Sequence, residues 1–232
     1  MKSMKTLALV VGLLGLSGVS QAQFSSTWTA VSDYDFRGFS QSAKDPALQA
    51  SADYAFGETG FSIGAWASNV DFSPADGDIE LDIYANYVGT INDTFAWTAG
   101  LVYYSYPGSD DLGEYPEFYV GFNAGDFSFK QWYADNLYDL DVEGLYTEAN
   151  YTATISDKVS LAFHAGYAWG DGWDAEELVD YAVQLNYTAG NFTIFGKFTG
   201  TDASDANEFT SDVGNNEPRF LVGVTTTLPW GN

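Results

Sequence analysis

The sequence contains no cysteine, a single histidine, and only 8 basic residues against 32 acidic ones. Without cysteine, neither a disulfide nor a thiolate metal site is available. The lone histidine, His164, excludes the common zinc sites built on two, and any serine-hydrolase triad would have to use it. A formal net charge of −24 argues against a nucleic-acid partner, whose phosphates would be repelled. Disordered chains share such acidity, but they lack the 17% aromatic content found here. After the first 22 residues no stretch approaches 18 consecutive apolar residues, which excludes helical membrane spans.

The chain opens with Lys2 and Lys5, an apolar run over 7–16, and Ser20-Gln21-Ala22. That order reads as a secretory signal peptide cut after Ala22, with one domain over 23–232. No cysteine follows the apolar run, so a lipid-anchored lipoprotein is excluded.

The clearest pattern lies over 78–106. Ile79, Leu81, Ile83, Ala85 and Tyr87 share one parity, and Asp78, Glu80, Asp82, Tyr84 and Asn86 the other. After a turn around 89–94, Phe95, Trp97, Ala99, Leu101 and Tyr103 resume the apolar side. A period of two marks strands with one oily and one wet face. Each arm is about ten residues, the length a tilted strand needs to cross a bilayer. Twelve such segments follow one another: 24–37, 47–56, 60–70, the two arms just described, 116–123, 126–135, 145–153, 159–169, 180–188, 192–201 and 219–230. Their connections alternate between short turns and longer acidic loops. An even number of strands with loops sorted by length predicts an all-β, antiparallel, up-and-down transmembrane barrel in the bacterial outer membrane. The apolar faces would meet lipid, and aromatics near segment ends, such as Trp28, Tyr54, Tyr103 and Trp230, would form interfacial girdles.

Several stretches resemble the TorF-type porin family of bacterial outer membranes. They are Ser32-Asp33-Tyr34-Asp35-Phe36-Arg37-Gly38-Phe39-Ser40-Gln41, Gly64-Ala65-Trp66-Ala67-Ser68-Asn69-Val70, Glu80-Leu81-Asp82-Ile83-Tyr84 and Tyr103-Tyr104-Ser105-Tyr106-Pro107-Gly108, with Glu117. The resemblance covers the first half of the domain; beyond Asp126 only the pattern is similar. It implies a small barrel that conducts solutes, without naming which.

Parity also sorts the luminal residues. Arg37, Lys197 and Arg219 belong to segments one, eleven and twelve, which become neighbours when a barrel closes. Glu80, Asp82 and Glu117 lie nearly across from them. The expectation is a basic wall facing an acidic wall near the outer mouth, giving a transverse field across the bore. Asp33 and Asp35 sit beside Arg37, so the competing expectation is that these charges pair locally and rigidify the barrel. Inward Trp66, Tyr84, Tyr104 and Tyr119, with Tyr146 and Phe195, would narrow the bore. His164 points inward between outward Phe163 and Ala165, which suits a luminal polar residue better than a catalyst, so no catalytic residue is expected. The acidic loops lack the spaced D-x-[DN]-x-[DN]-G run of a calcium loop, and no metal or cofactor is expected. The sequence therefore predicts a channel for small hydrophilic solutes, cationic or zwitterionic in preference to anionic, with outer-membrane lipid as its surroundings. A closed barrel acting through its acidic outer loops in adhesion or envelope structure is the alternative. The oligomeric state is left open.

Overall fold

The computed structural model describes residues 24–173, 177–203 and 209–230. The expected signal peptide lies outside the described residues. Twelve antiparallel strands close into one barrel, and each pairs with its neighbours in sequence. They are β1 (Phe24–Val31), β4 (Ala47–Ala55), β5 (Phe61–Asn69), β6 (Ile79–Thr90), β7 (Phe95–Ser105), β8 (Tyr115–Ala124), β9 (Phe127–Ala134), β10 (Gly144–Ser156), β11 (Val159–Trp169), β12 (Leu178–Ala189), β13 (Phe192–Thr201) and β14 (Arg219–Leu228). A separate two-stranded sheet, β2 (Asp35–Phe36) and β3 (Phe39–Ser40), lies between the first two barrel strands. The barrel closes where β1 pairs with β14, Ser26 opposite Leu228 and Ala30 opposite Val224. Closure leaves no unpaired edge, the condition for strands to sit in lipid.

Alternation dictates which residues face out. Leu48, Ile83, Phe118, Val120, Phe163, Leu185, Phe220 and Val222 are all exposed on the outer surface, whereas Tyr84, Glu117, Tyr119, Tyr146, Gln184 and Asn186, on the opposite parity, are buried inside. An apolar belt this continuous is stable only against an apolar surrounding. Aromatic contacts rim it at the short-turn end. Phe61 packs on Tyr87 with centroids 4.5 Å apart, Tyr87 on Trp97 at 5.0 Å, and Phe95 on Phe122 at 5.7 Å. Glycines let the inner rings lie flat on the wall. A Cβ at Gly64 would stand 2.4 Å from the Tyr84 ring, its direct cross-strand neighbour.

The first segment departs from expectation. Alternation predicts one strand over 24–37, but β1 ends at Val31, and residues 32–46 turn into the lumen as a loop, L1. Tyr34 and Phe36, which share the parity of the lipid-facing Phe24 and Trp28, are inside the barrel. Tyr34 is buried, and Phe36 packs edge-on against Tyr104 at 6.0 Å. Local polar bonds hold the turn-in. The Ser42 hydroxyl accepts from the Tyr34 backbone N–H at 2.9 Å, and the Ser40 hydroxyl donates to Asp33 at 2.6 Å.

Candidate functional site: a charged bar across the lumen

L1 carries the β2–β3 hairpin, in which Asp35 faces Ser40 and Phe36 faces Phe39 across the two-residue turn Arg37-Gly38. Both turn residues have positive φ, 50° and 86°, as the tightest hairpin turns require. Gly38 is needed for a second reason: a Cβ there would lie 2.5 Å from Thr201 Cγ2 and 3.0 Å from Asp180 Cβ. The tip of the hairpin is therefore pressed against the barrel wall.

Charge fixes this hairpin from two sides. On one side Arg219 of β14 donates through Nε to Asp33 at 2.6 Å and through its terminal nitrogens to Asp35 at 2.5 Å and the Gly38 carbonyl at 2.6 Å. Lys197 of β13 donates to Asp35 at 2.6 Å, and Thr199 adds a bond of 3.1 Å. Burial pushes the Asp35 carboxyl up, but Lys197 and Arg219 outweigh it and hold it below its ordinary range. On the other side Arg37 reaches Glu117 of β8 with both terminal nitrogens, at 2.9 and 2.6 Å. Its guanidinium lies 4.0 Å from the Tyr146 ring centroid and 4.7 Å from that of Phe36. Burial alone would lower the Arg37 pKa; Glu117 dominates and raises it, so the group stays charged. A bidentate, ring-stacked guanidinium is a geometry that lysine cannot reproduce.

The predicted site residues therefore meet, but not as two walls with a gap between them. Lys197 and Arg219 do stand on adjacent strands. Arg37 and Asp33 leave the wall with L1, Asp33 going to Arg219 and Arg37 crossing to Glu117. Of the expected acidic set, Glu80 and Asp82 remain on β6 without a base. Glu80 accepts from the Tyr106 hydroxyl at 3.5 Å. The Tyr34 hydroxyl of L1 also bonds to it, and burial, followed by the charges of Glu80 and Asp82, keeps that hydroxyl protonated. Tyr84 donates to Asp53 at 2.5 Å, Tyr104 to Glu117 at 3.0 Å and Tyr119 to Asn86 at 2.5 Å. Trp66 packs against Tyr34, with ring centroids 5.3 Å apart.

A second inward network runs from Lys130, which the sequence pattern does not single out, through Glu148 to the inward-facing His164. Lys130 of β9 lies 4.5 Å from the Tyr119 ring centroid and 5.0 Å from that of Trp132, and faces Glu148 at 3.9 Å. Glu148 also accepts from Trp132 Nε1 at 3.0 Å. His164 points inward, its Nε2 2.8 Å from Asp180 and its Nδ1 2.7 Å from the Asn150 amide oxygen. Tyr146 donates to Asp180 at 2.8 Å, and this links the network to the ring on which Arg37 rests. Among the described residues, no group of three metal-ligating side chains stands together.

Solved structures share this architecture. The KdgM porin in complex with disordered oligogalacturonate superimposes with a TM-score of 0.57 at 14% identity, over 87% of this chain and 98% of that one. The NanC porin does so with a TM-score of 0.55 at 11% identity, over 88% and 98%. The Acinetobacter baumannii outer membrane protein Omp33 gives 0.52 at 9% identity, over 88% and 96%. At such identities the likeness shows the fold, a closed twelve-stranded barrel. No curated protein matches the chain. A family model described as "Bacterial protein of unknown function (Gcw_chp)" matches residues 16–228, and the chain belongs to that family.

Proposed function

We propose that this barrel is an outer-membrane channel for the passive passage of small hydrophilic solutes, with cations and zwitterions preferred to anions. The resemblance of its first half to TorF-type porins and the porin fold both support this reading. One observation carries the preference: once each luminal base has found a carboxylate, Glu80, Asp82 and Asp53 are left without a base. A bore with that surplus attracts positive charge and repels negative charge. L1 lies across the bore, its hairpin tied to β13 and β14 on one side and to β8 on the other. Reversal potentials across planar bilayers under a salt gradient test the sign. Cation selectivity is expected, and anion selectivity would refute it.

The tied hairpin also favours a second reading, a closed barrel that works through its outer loops in adhesion or envelope structure. Liposome swelling separates the two, because a plugged barrel admits no solute.

A further inference from the structure

Each base of the described chain has a definite place. Arg37, Lys44, Lys130, Lys197 and Arg219 are paired with Glu117, Asp212, Glu148, Asp35 and the Asp33–Asp35 pair. Lys158 lies in the short turn between β10 and β11, at the end of the barrel opposite Glu80. None of them serves Glu80 or Asp82. These carboxylates are 3% and 8% exposed, and Glu80 Oε2 and Asp82 Oδ1 are buried with no hydrogen-bond partner. The charged neighbours of Asp82 are themselves acidic, Glu80 and Glu117. Buried polar oxygens require partners, and among the described residues Glu80 Oε2 and Asp82 Oδ1 have none.

The surroundings restrict what the partner is. In the ladder β5–β6–β7, Asp82 stands between Trp66 and Tyr104, so two inward aromatic side chains border the acids. A hard metal ion needs six or more oxygens or keeps several waters, and a pair of carboxylates bordered by rings does not offer that. The chain itself contains a cation held by this combination: the Arg37 guanidinium, chelated by Glu117 and stacked on Tyr146 at 4.0 Å. We propose that Glu80 and Asp82 bind the head group of an organic cation bearing N–H donors, a guanidinium or a primary ammonium, with Trp66 and Tyr104 covering its flat or apolar side. The N–H groups matter because the two orphaned oxygens need donors, which a quaternary ammonium does not have. The inference rests on the channel reading only for the route by which the cation arrives.

Isothermal titration of the full barrel in detergent, at constant ionic strength, tests it with methylguanidinium chloride as the probe and tetramethylammonium chloride as the control. Methylguanidinium is expected to bind saturably, and the double variant Glu80→Gln, Asp82→Asn to bind at least about tenfold more weakly. Tetramethylammonium is expected to give no saturable binding. No saturable binding of methylguanidinium, equal binding of the control, or unchanged affinity in the double variant would each overturn the proposal. Should the double variant fail to fold, Trp66→Leu keeps both carboxylates; about threefold weaker binding is expected, and unchanged affinity would overturn the role of the ring. Solute swelling without binding removes this site and leaves the channel standing. Binding without swelling keeps the site and removes the channel.

Discussion

Glu117 is 2% exposed and takes both terminal nitrogens of Arg37, so Glu117→Gln leaves a buried guanidinium without its carboxylate partner. Breaking one side of such a pair costs about 3–5 kcal/mol when the other side stays buried. L1 limits that cost, because the loop swings out and the guanidinium regains water. The expected outcome is therefore an undocked hairpin in an intact barrel, read as higher and noisier single-channel current with unchanged thermal unfolding. Gly38→Ala acts at the same tip by a different route. A φ of 86° costs an L-residue about 1–2 kcal/mol, and the 2.5 Å approach to Thr201 adds a clash. It should reproduce the Glu117→Gln current although it alters no charge. A variant indistinguishable from the parent would show that the tip is not pressed on the wall.

L1 is the element that sequence patterning misplaced, and the reason is physical. Tyr34 and Phe36 keep the parity of Phe24, Trp28 and Ala30, because a two-faced hairpin alternates as a barrel strand does. Alternation reports two environments without saying which one is lipid. The signal that could have separated them is Phe36-Arg37-Gly38-Phe39, a two-residue turn flanked by aromatics. Lys130 was hidden differently. Gln131 breaks the apolar parity of β9, yet it faces outward, with its amide satisfied by Thr147 at 2.7 Å and the Trp132 carbonyl at 2.9 Å. By contrast, the eleven strands after β1 and the inward Trp66, Tyr84, Tyr104 and Tyr119 were legible, since period two and burial follow from the same backbone geometry. L1 also has a pH signature. Lys197 and Arg219 hold the Asp35 carboxyl below its ordinary value of 3.8, so docking gains stability that is complete above that value. It is lost as pH falls through the lowered folded value. Current should therefore stay at its docked level through mild acid and rise only below the usual aspartate range, in recordings stepped down in pH. A rise centred above pH 5 would contradict the anchoring.

For the whole molecule, the outer belt and the acid-rich bore make separate demands. Val120 is 62% exposed in the middle of β8, on the apolar face. Val120→Arg should cost about 2–4 kcal/mol of folding stability in lipid, measured by denaturant unfolding in vesicles. A cost near zero would mean that this face does not meet the hydrocarbon. The bore, in turn, decides what passes. Uptake by liposomes carrying the purified barrel, challenged with an anion, a cation and a zwitterion of matched size, tests the channel most directly. Measurable swelling is expected with the cation and the zwitterion, and slower swelling with the anion. No swelling with any of the three would contradict a channel and leave the closed barrel.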